Sequence, residues 1–265
     1  MASKFKTTEI SNPEFESNNL RFITVKSKNL KGRGDICVFV PPNTNLKDLP
    51  IIVLMHGVYG SAWIWPHKTG VHFTALKMME AGLIKPMVIA MPSDGLWGDG
   101  SGYIPHQTLN FENWIVNDVI DAVIENISCT SNNSNLYISG LSMGGFGALR
   151  LGIKYANKFK AISAHSSITD VEQMPLFVEE SLETYKKGNI EDQSVWKTIQ
   201  NRKESLPLIR FDCGKNDLLI EHNRKLHQQL KEANINHVYQ EFEGAHEWKY
   251  WQEHIKDSLL FFNKV

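Results

Sequence analysis

The strongest constraint on the fold is an alternation of short, unbroken apolar runs with stretches of helical periodicity. Ile51–Met55 reads Ile-Ile-Val-Leu-Met, and comparable runs follow at 87–91, 136–139, 159–164, 208–213 and 237–242. A run of that length without polar alternation is a strand buried on both faces, as in a parallel sheet covered by helices. Between the runs, residues 71–82, 111–127, 144–156, 220–233 and 247–262 carry apolar positions three and four apart, the spacing of a helix with one buried face. The clearest is 111–127, with Trp114, Ile115, Val119, Ala122, Val123 and Ile127 on one side. Two β-rich segments, 20–28 and 34–40, flank Lys31-Gly-Arg-Gly34 and read as an N-terminal hairpin ended by Pro41-Pro42. The expectation is an α/β chain: a mostly parallel central sheet of about eight strands, helices on both faces, and a ligand site at the topological switch point.

One interval breaks the alternation. Between Ser166 and Pro207 two helical patterns occur without a strand: Met174, Phe177, Val178, Leu182 and Tyr185, then Val195, Trp196 and Ile199. A small helical insertion over 166–206 would lie across the carboxyl ends of the strands as a lid; ordinary surface packing of the same helices is the alternative. With 265 residues and 42% hydrophobic content, a single domain over 1–265 is expected, since this architecture routinely exceeds 200 residues.

Charge excludes several functions. The net charge is −1, so there is no basic field for nucleic acid and no polybasic segment for an anionic membrane. The N-terminus lacks the apolar core of a signal peptide, and no apolar run approaches the length of a membrane span. The chain therefore reads as cytoplasmic, with a small molecule as partner and a homo-oligomer left open. Cys37, Cys129 and Cys213 are too few and too widely spaced for a disulfide framework or a zinc ligand set. His246-Glu-Trp-Lys-Tyr250 is not the metalloprotease helix pattern, and neither a dinucleotide fingerprint nor a phosphate-binding Walker loop occurs. No metal or cofactor is expected.

Chemistry enters at Gly140-Leu-Ser-Met-Gly144, which follows the apolar run at 136–139 and opens the helical stretch 144–156. In that strand–turn–helix context G-x-S-x-G places a serine hydroxyl at the tip of a sharp elbow, with small residues letting two backbones pass. Ser142 is the candidate nucleophile. A serine needs a base within hydrogen-bond reach and a group that orients the base. In chain order the acid and base should follow the serine, each at the carboxyl end of a strand. Asp217, in Gly214-Lys-Asn-Asp217, and His246, in Gly244-Ala-His246, stand there. Asp212, inside a strand, and Asp170 are the rival acids. His222, His227 and His254 fall on helices, His237 opens a strand, and His165 ends a strand where it would line the pocket. Acyl transfer also needs donors for a developing oxyanion. One is the backbone N–H of Met143; the second belongs to the loop Met55-His-Gly-Val-Tyr-Gly60, at Val58 or alternatively Tyr59. His56 reads as a structural loop residue. Trp63, Trp65, Trp97, Tyr103 and Trp248 lie in loops near the site. Tyr59, Trp97, His165 and Trp248 are the candidate pocket residues, with plain packing the competing explanation.

At these residues the chain resembles the esterase D family of α/β hydrolases, which includes S-formylglutathione hydrolases, tributyrin-type esterases and feruloyl or acetyl-xylan esterases. The matching pieces are Leu54-Met-His-Gly-Val-Tyr-Gly60, the loop 93–103, Ile138-Ser-Gly-Leu-Ser-Met-Gly-Gly-Phe-Gly-Ala-Leu149, Cys213-Gly-Lys-Asn-Asp-Leu218 and Gly244-Ala-His-Glu-Trp248, which together span about 35–262. The resemblance implies the α/β-hydrolase fold, Ser142 as nucleophile, Asp217 as acid, His246 as base, and Val58 and Met143 as oxyanion amides. It implies a serine carboxylesterase for short acyl esters, acylated carbohydrates among them. An acyltransferase with the same triad, an S-formylglutathione-type thioesterase and a non-catalytic binding module are the alternatives. The early loop departs from the S-formylglutathione hydrolase pattern in lacking its cysteine.

Overall fold

A computed structural model describes residues 3–42, 45–186, 188–202 and 206–265. Its centre is a nine-stranded sheet built from β1 (Thr8–Ile10), β2 (Leu20–Ser27), β3 (Gly32–Phe39), β4 (Ile51–Met55), β5 (Val88–Pro92), β8 (Leu136–Leu141), β9 (Phe159–His165), β10 (Leu208–Gly214) and β11 (Val238–Phe242). A separate two-stranded ribbon joins β6 (Pro105–His106) to β7 (Leu109–Asn110). The spatial order is β1-β2-β3-β5-β4-β8-β9-β10-β11, parallel from β5 to β11 and antiparallel at the β1–β2–β3–β5 end. All five residues of β4 and of β5 are buried, which is what an unbroken apolar run requires of a central parallel strand. The hairpin pairs Ser27 with Gly32, as the sequence predicts. The ninth strand, β1, has no hydrophobic signature. It is a short, largely exposed edge strand held by backbone pairing, with Thr8 opposite Val25 and Ile10 opposite Ile23.

Helices cover both faces. Phe111–Asn126, α5 (Met143–Lys154) and α8 (Ile220–Glu232) bury Trp114, Ile115, Phe146, Leu149, Leu226 and Leu230 in one core. On the opposite face, α1 (Ile64–Thr69), α2 (Val71–Glu80) and α9 (Trp248–Phe262) bury Trp65, Val71, Ala75, Trp251, Ile255 and Phe262. The stretch expected as one helix over 111–127 is α3 (Phe111–Asn113), a π-helical turn at Trp114–Val119, and α4 (Ile120–Asn126). The wider winding turns Val116 and Asp118 inward beside Trp114, Ile115 and Val119. Helix α1 has no periodic signal in the sequence. Pro66 sits within its first turn, where a missing N–H costs nothing, and Gly70 ends it in the left-handed region at φ 63°.

The interval 166–206 is an insertion of short pieces: turns of 3₁₀ helix at Val171–Leu176 and Ile190–Gln193, α6 (Leu182–Tyr185) and α7 (Val195–Gln200). The first expected helix is reduced to a 3₁₀ turn that contains Pro175 and, after a gap, the single turn of α6; positions 187 and 203–205 of this interval lie outside the described residues. Met174, Tyr185, Val195 and Ile199 are buried in the main core. Among the described residues, no helix is long and apolar enough to cross a membrane.

The chain leaves β4 for β5 on one side and returns to β8 on the other. The loops after β4 and β8 therefore diverge from adjacent strands at the carboxyl edge of the sheet, the switch point of this topology. Ser142, Asp217 and His246 gather there.

Candidate active site

Ser142 follows β8 directly and precedes the first residue of α5, with φ 53° and ψ −119°. A non-glycine residue held there carries strain of about 1–3 kcal/mol, which the surroundings must impose. Three backbone bonds impose it. The Ser142 N–H donates to the His165 carbonyl at 2.9 Å, and the Ser142 carbonyl accepts from Phe146 at 3.0 Å and Ile168 at 3.2 Å. The flanking glycines make the turn sterically available. A Cβ on Gly140 would lie 2.3 Å from the Gly144 carbonyl oxygen, and one on Gly144 would lie 2.5 Å from the carbonyl oxygens of both Met55 and His56.

The acid and the base arrive on neighbouring strands. Asp217 ends a turn after β10, its N–H bonded to the Gly214 carbonyl at 3.0 Å. His246 follows β11. The two loops are stitched together by Lys215 N–H to Phe242 carbonyl at 2.8 Å and Asn216 N–H to Gly244 carbonyl at 2.9 Å. Across this junction His246 Nδ1 stands 2.9 Å from Asp217 Oδ2 and 3.1 Å from Oδ1. On its other side His246 Nε2 stands 3.0 Å from Ser142 Oγ. An ionised carboxylate only accepts, so Nδ1 carries the proton and the Nε2 lone pair faces the serine hydroxyl. Burial alone would raise the Asp217 carboxyl. Hydrogen bonds from His246 and from the Leu219 N–H, at 2.8 Å, hold it below its usual value. The arrangement can withdraw a proton from Ser142 and stabilise the imidazolium that forms.

Two aromatic side chains fix the imidazole. Phe177 stacks on it at 4.9 Å between ring centroids and an interplanar angle of 29°. Trp251 meets it edge-on at 5.0 Å. Neither is marked by a motif: Phe177 comes from the insertion and Trp251 from the first turns of α9. A tryptophan five residues after a candidate base, at the start of a helix, was the one available signal.

The amides of Val58 and Met143 have no hydrogen-bond partner among the described residues. Their side chains meet beside Gly100, where a Cβ would fall 2.5 Å from Met143 Sδ and 3.4 Å from Val58 Cγ1. The alternative donor is eliminated, since the Tyr59 N–H donates to the Asp99 carbonyl at 2.8 Å.

The rival residues have other partners. Asp212 is fully buried, accepting from Tyr250 Oη at 2.8 Å and Arg210 at 2.5 Å. Asp170 caps the turn at Val171, accepting from Glu172 N–H at 3.1 Å. His227 and His237 bond each other at 2.7 Å, and His254 pairs with Asp257 at 3.0 Å. Of the expected pocket residues, His165 does not line a pocket. It is fully buried, with Nδ1 on Asp212 and Nε2 on Ser258 Oγ at 2.7 Å. Trp97 stacks on His106 at 4.3 Å and meets Tyr185 edge-on at 6.1 Å, so packing accounts for it. Tyr59 projects into solvent, 64% exposed. Trp248 is half-buried between Trp65 and Trp251. Trp65 and Tyr103 are core residues, donating to the Met55 and His56 carbonyls. No group of three or more histidine, cysteine or acidic side chains among the described residues is placed to hold a metal ion.

A model of the Esterase family, described as "Putative esterase", matches residues 27–262. An acetyl esterase of Caldicellulosiruptor saccharolyticus is 26% identical over 270 residues, spanning 92% of this chain and 97% of its own. Among solved structures, a ferulic acid esterase superposes with a TM-score of 0.80 at 21% identity, over 97% of this chain and 99% of its own. An S-formylglutathione hydrolase of Staphylococcus aureus does so with a TM-score of 0.75 at 16% identity, over 96% and 98%. The shared fold is that of the α/β hydrolases, and with the family match covering nearly its whole length, the chain belongs to the Esterase family.

Proposed function

We propose that the chain is a serine carboxylesterase that cleaves short acyl esters through a covalent acyl-enzyme. The observation that carries this reading is the unbroken line from Ser142 Oγ through His246 to Asp217, set at the tip of a strained elbow. His246 Nε2 takes the hydroxyl proton as Ser142 Oγ attacks the ester carbonyl carbon. The oxyanion that forms accepts from the Val58 and Met143 amides, each such donor being worth about 3 kcal/mol. Collapse breaks the bond to the alcohol oxygen, which leaves with the proton held by His246. Water then repeats the sequence on the acyl-enzyme, releasing the carboxylic acid and restoring Ser142. Asp217 accepts the hydrogen bond from Nδ1–H throughout and stabilises the imidazolium.

The acetyl esterase relative supports a small acyl group, and the ferulic acid esterase neighbour supports cleavage of a carboxylic ester. A glutathione thioester is the weaker reading, because Cys37, Cys129 and Cys213 are all buried and none lies in the oxyanion loop. The test is Ser142→Ala assayed on p-nitrophenyl acetate. The substitution should leave the circular dichroism spectrum unchanged and lower kcat by about 10⁴-fold or more, and a fluorophosphonate should label the parent protein at Ser142 but not the variant. Hydrolysis retained by Ser142→Ala overturns the mechanism.

A further inference from the structure

The donor geometry attributed to Val58 has a visible cause in the residue two positions before it. His56 ends the run from β4 and is buried to 1% exposure. Its Nδ1 lies 2.6 Å from the carbonyl oxygen of Gly57, and its Nε2 lies 3.0 Å from the backbone nitrogen of Asp94. The Asp94 N–H can only donate, so Nε2 is the unprotonated nitrogen and Nδ1–H is the donor to Gly57. Burial lowers the pKa of the ring and so favours its neutral form.

The Gly57 carbonyl and the Val58 N–H belong to one planar trans peptide, in which C=O and N–H point in opposite directions. Holding that oxygen against His56 therefore turns the Val58 N–H the other way. Gly57 itself lies against the nucleophile, since a Cβ there would fall 3.3 Å from Ser142 Cβ. The next peptide is fixed as well, by Tyr59 N–H to the Asp99 carbonyl. Tyr103 Oη anchors the His56 carbonyl at 2.9 Å, and a Cβ on Gly60 would sit 2.2 Å from His56 Nδ1. The imidazole thus fills a slot shaped for it between the early loop and the loop that starts at Asp94.

We propose that His56 is the positioning residue of the oxyanion site, setting the plane of the Gly57–Val58 peptide so that the Val58 amide meets the developing charge. The proposal rests on the esterase reading above. His56 touches no reacting atom; it acts through one peptide.

Asparagine carries an N–H where Nδ1 stands, whereas glutamine reaches toward Asp94 and places no donor beside Gly57. His56→Asn should therefore keep kcat on p-nitrophenyl acetate within about fivefold of the parent. His56→Gln should lose about 10- to 100-fold in kcat, part of the 10²–10³ that complete removal of an oxyanion donor costs, with KM changed less than twofold. Affinity for a trifluoromethyl ketone, which becomes an oxyanion on Ser142, should fall by the same factor as kcat/KM. Gly60→Ala displaces the ring without altering its chemistry and should give the same kcat loss should His56→Gln not fold. Equal kcat losses in His56→Asn and His56→Gln, or a loss carried by KM, overturn the proposal and leave His56 a packing residue. Fluorophosphonate labelling of Ser142 in the parent separates this outcome from failure of the esterase reading.

Discussion

Ser142 is held in a backbone conformation that other residues must impose, and the tightest constraint comes from atoms without side-chain freedom. The position of a Cβ on Gly144 is blocked by two carbonyl oxygens belonging to β4 and its loop, which cannot rotate aside. Gly144→Ala should destabilise the protein by about 1–3 kcal/mol, as overpacking does, and should lower kcat as well, because relief would push the elbow away from Val58. Gly32→Ala is the matched control: its nearest neighbour would be 3.6 Å away, and the change should stay within about 0.5 kcal/mol. Urea unfolding midpoints and kcat on the same preparations decide the comparison. Ser142, Asp217 and His246 were legible in the sequence because each stands in a turn at a strand's carboxyl end, where topology brings loops together. His165 departs from the pocket expectation for a related reason. Its carbonyl does reach the site, bonded to the Ser142 N–H, but its side chain points into the core, onto Asp212 and Ser258. Sequence places a residue at the edge of a sheet more readily than it tells which way the last side chain turns.

At the scale of elements, α5 carries the elbow and is fastened by a buried ionic cluster. Arg150 on α5 is fully buried, 2.5 Å from Glu112 in α3 and 2.9 Å from Asp192 in the insertion, and Lys154 reaches both carboxylates. Removing one partner of such a cluster leaves a charge stranded in the interior. Glu112→Gln should cost about 3–5 kcal/mol, read as a fall in thermal midpoint, and a loss below about 1 kcal/mol would show that Asp192 alone neutralises Arg150. The insertion is thereby tied to the nucleophile helix, and its contribution to the site is the ring of Phe177. Phe177→Leu should lower kcat/KM by about tenfold, on the scale of one aromatic contact, with the thermal midpoint nearly unchanged because Phe177 is only half-buried. An unaltered kcat/KM would reduce the stacking to incidental contact. Neither contact is legible in the sequence. The insertion's helical pattern is visible in the sequence, but it folds as separate short turns, and which of its apolar side chains faces His246 depends on turns that carry no periodicity.

For the whole molecule, the consequence of burying so many paired carboxylates is a defined acid limit. Burial on its own would raise Asp212, but His165 and Arg210 outweigh it and bring its pKa down to about 2. Glu112 behaves alike, burial being outweighed by Arg150, Tyr155 and Lys154, and also falls to about 2. Both folded values lie below the unfolded ones of about 3.9 and 4.3. Each group therefore contributes stability that is fully present above its unfolded value and is lost as pH falls toward its folded value. Each contribution is about 2–3 kcal/mol, and together they approach the roughly 5 kcal/mol that bounds the net stability of a small domain from below. Asp217, lowered in the same direction by His246, adds to the loss. The thermal midpoint should be level from pH 7 to about 5 and should fall steeply between about pH 4 and 2. Asp212→Asn should be less stable than the parent at pH 7 yet show a shallower fall below pH 4, because its share of the titration is gone. Parallel curves for the two proteins would mean that Asp212 binds its proton equally in the folded and unfolded states, and that its partners hold it in place without lowering its pKa.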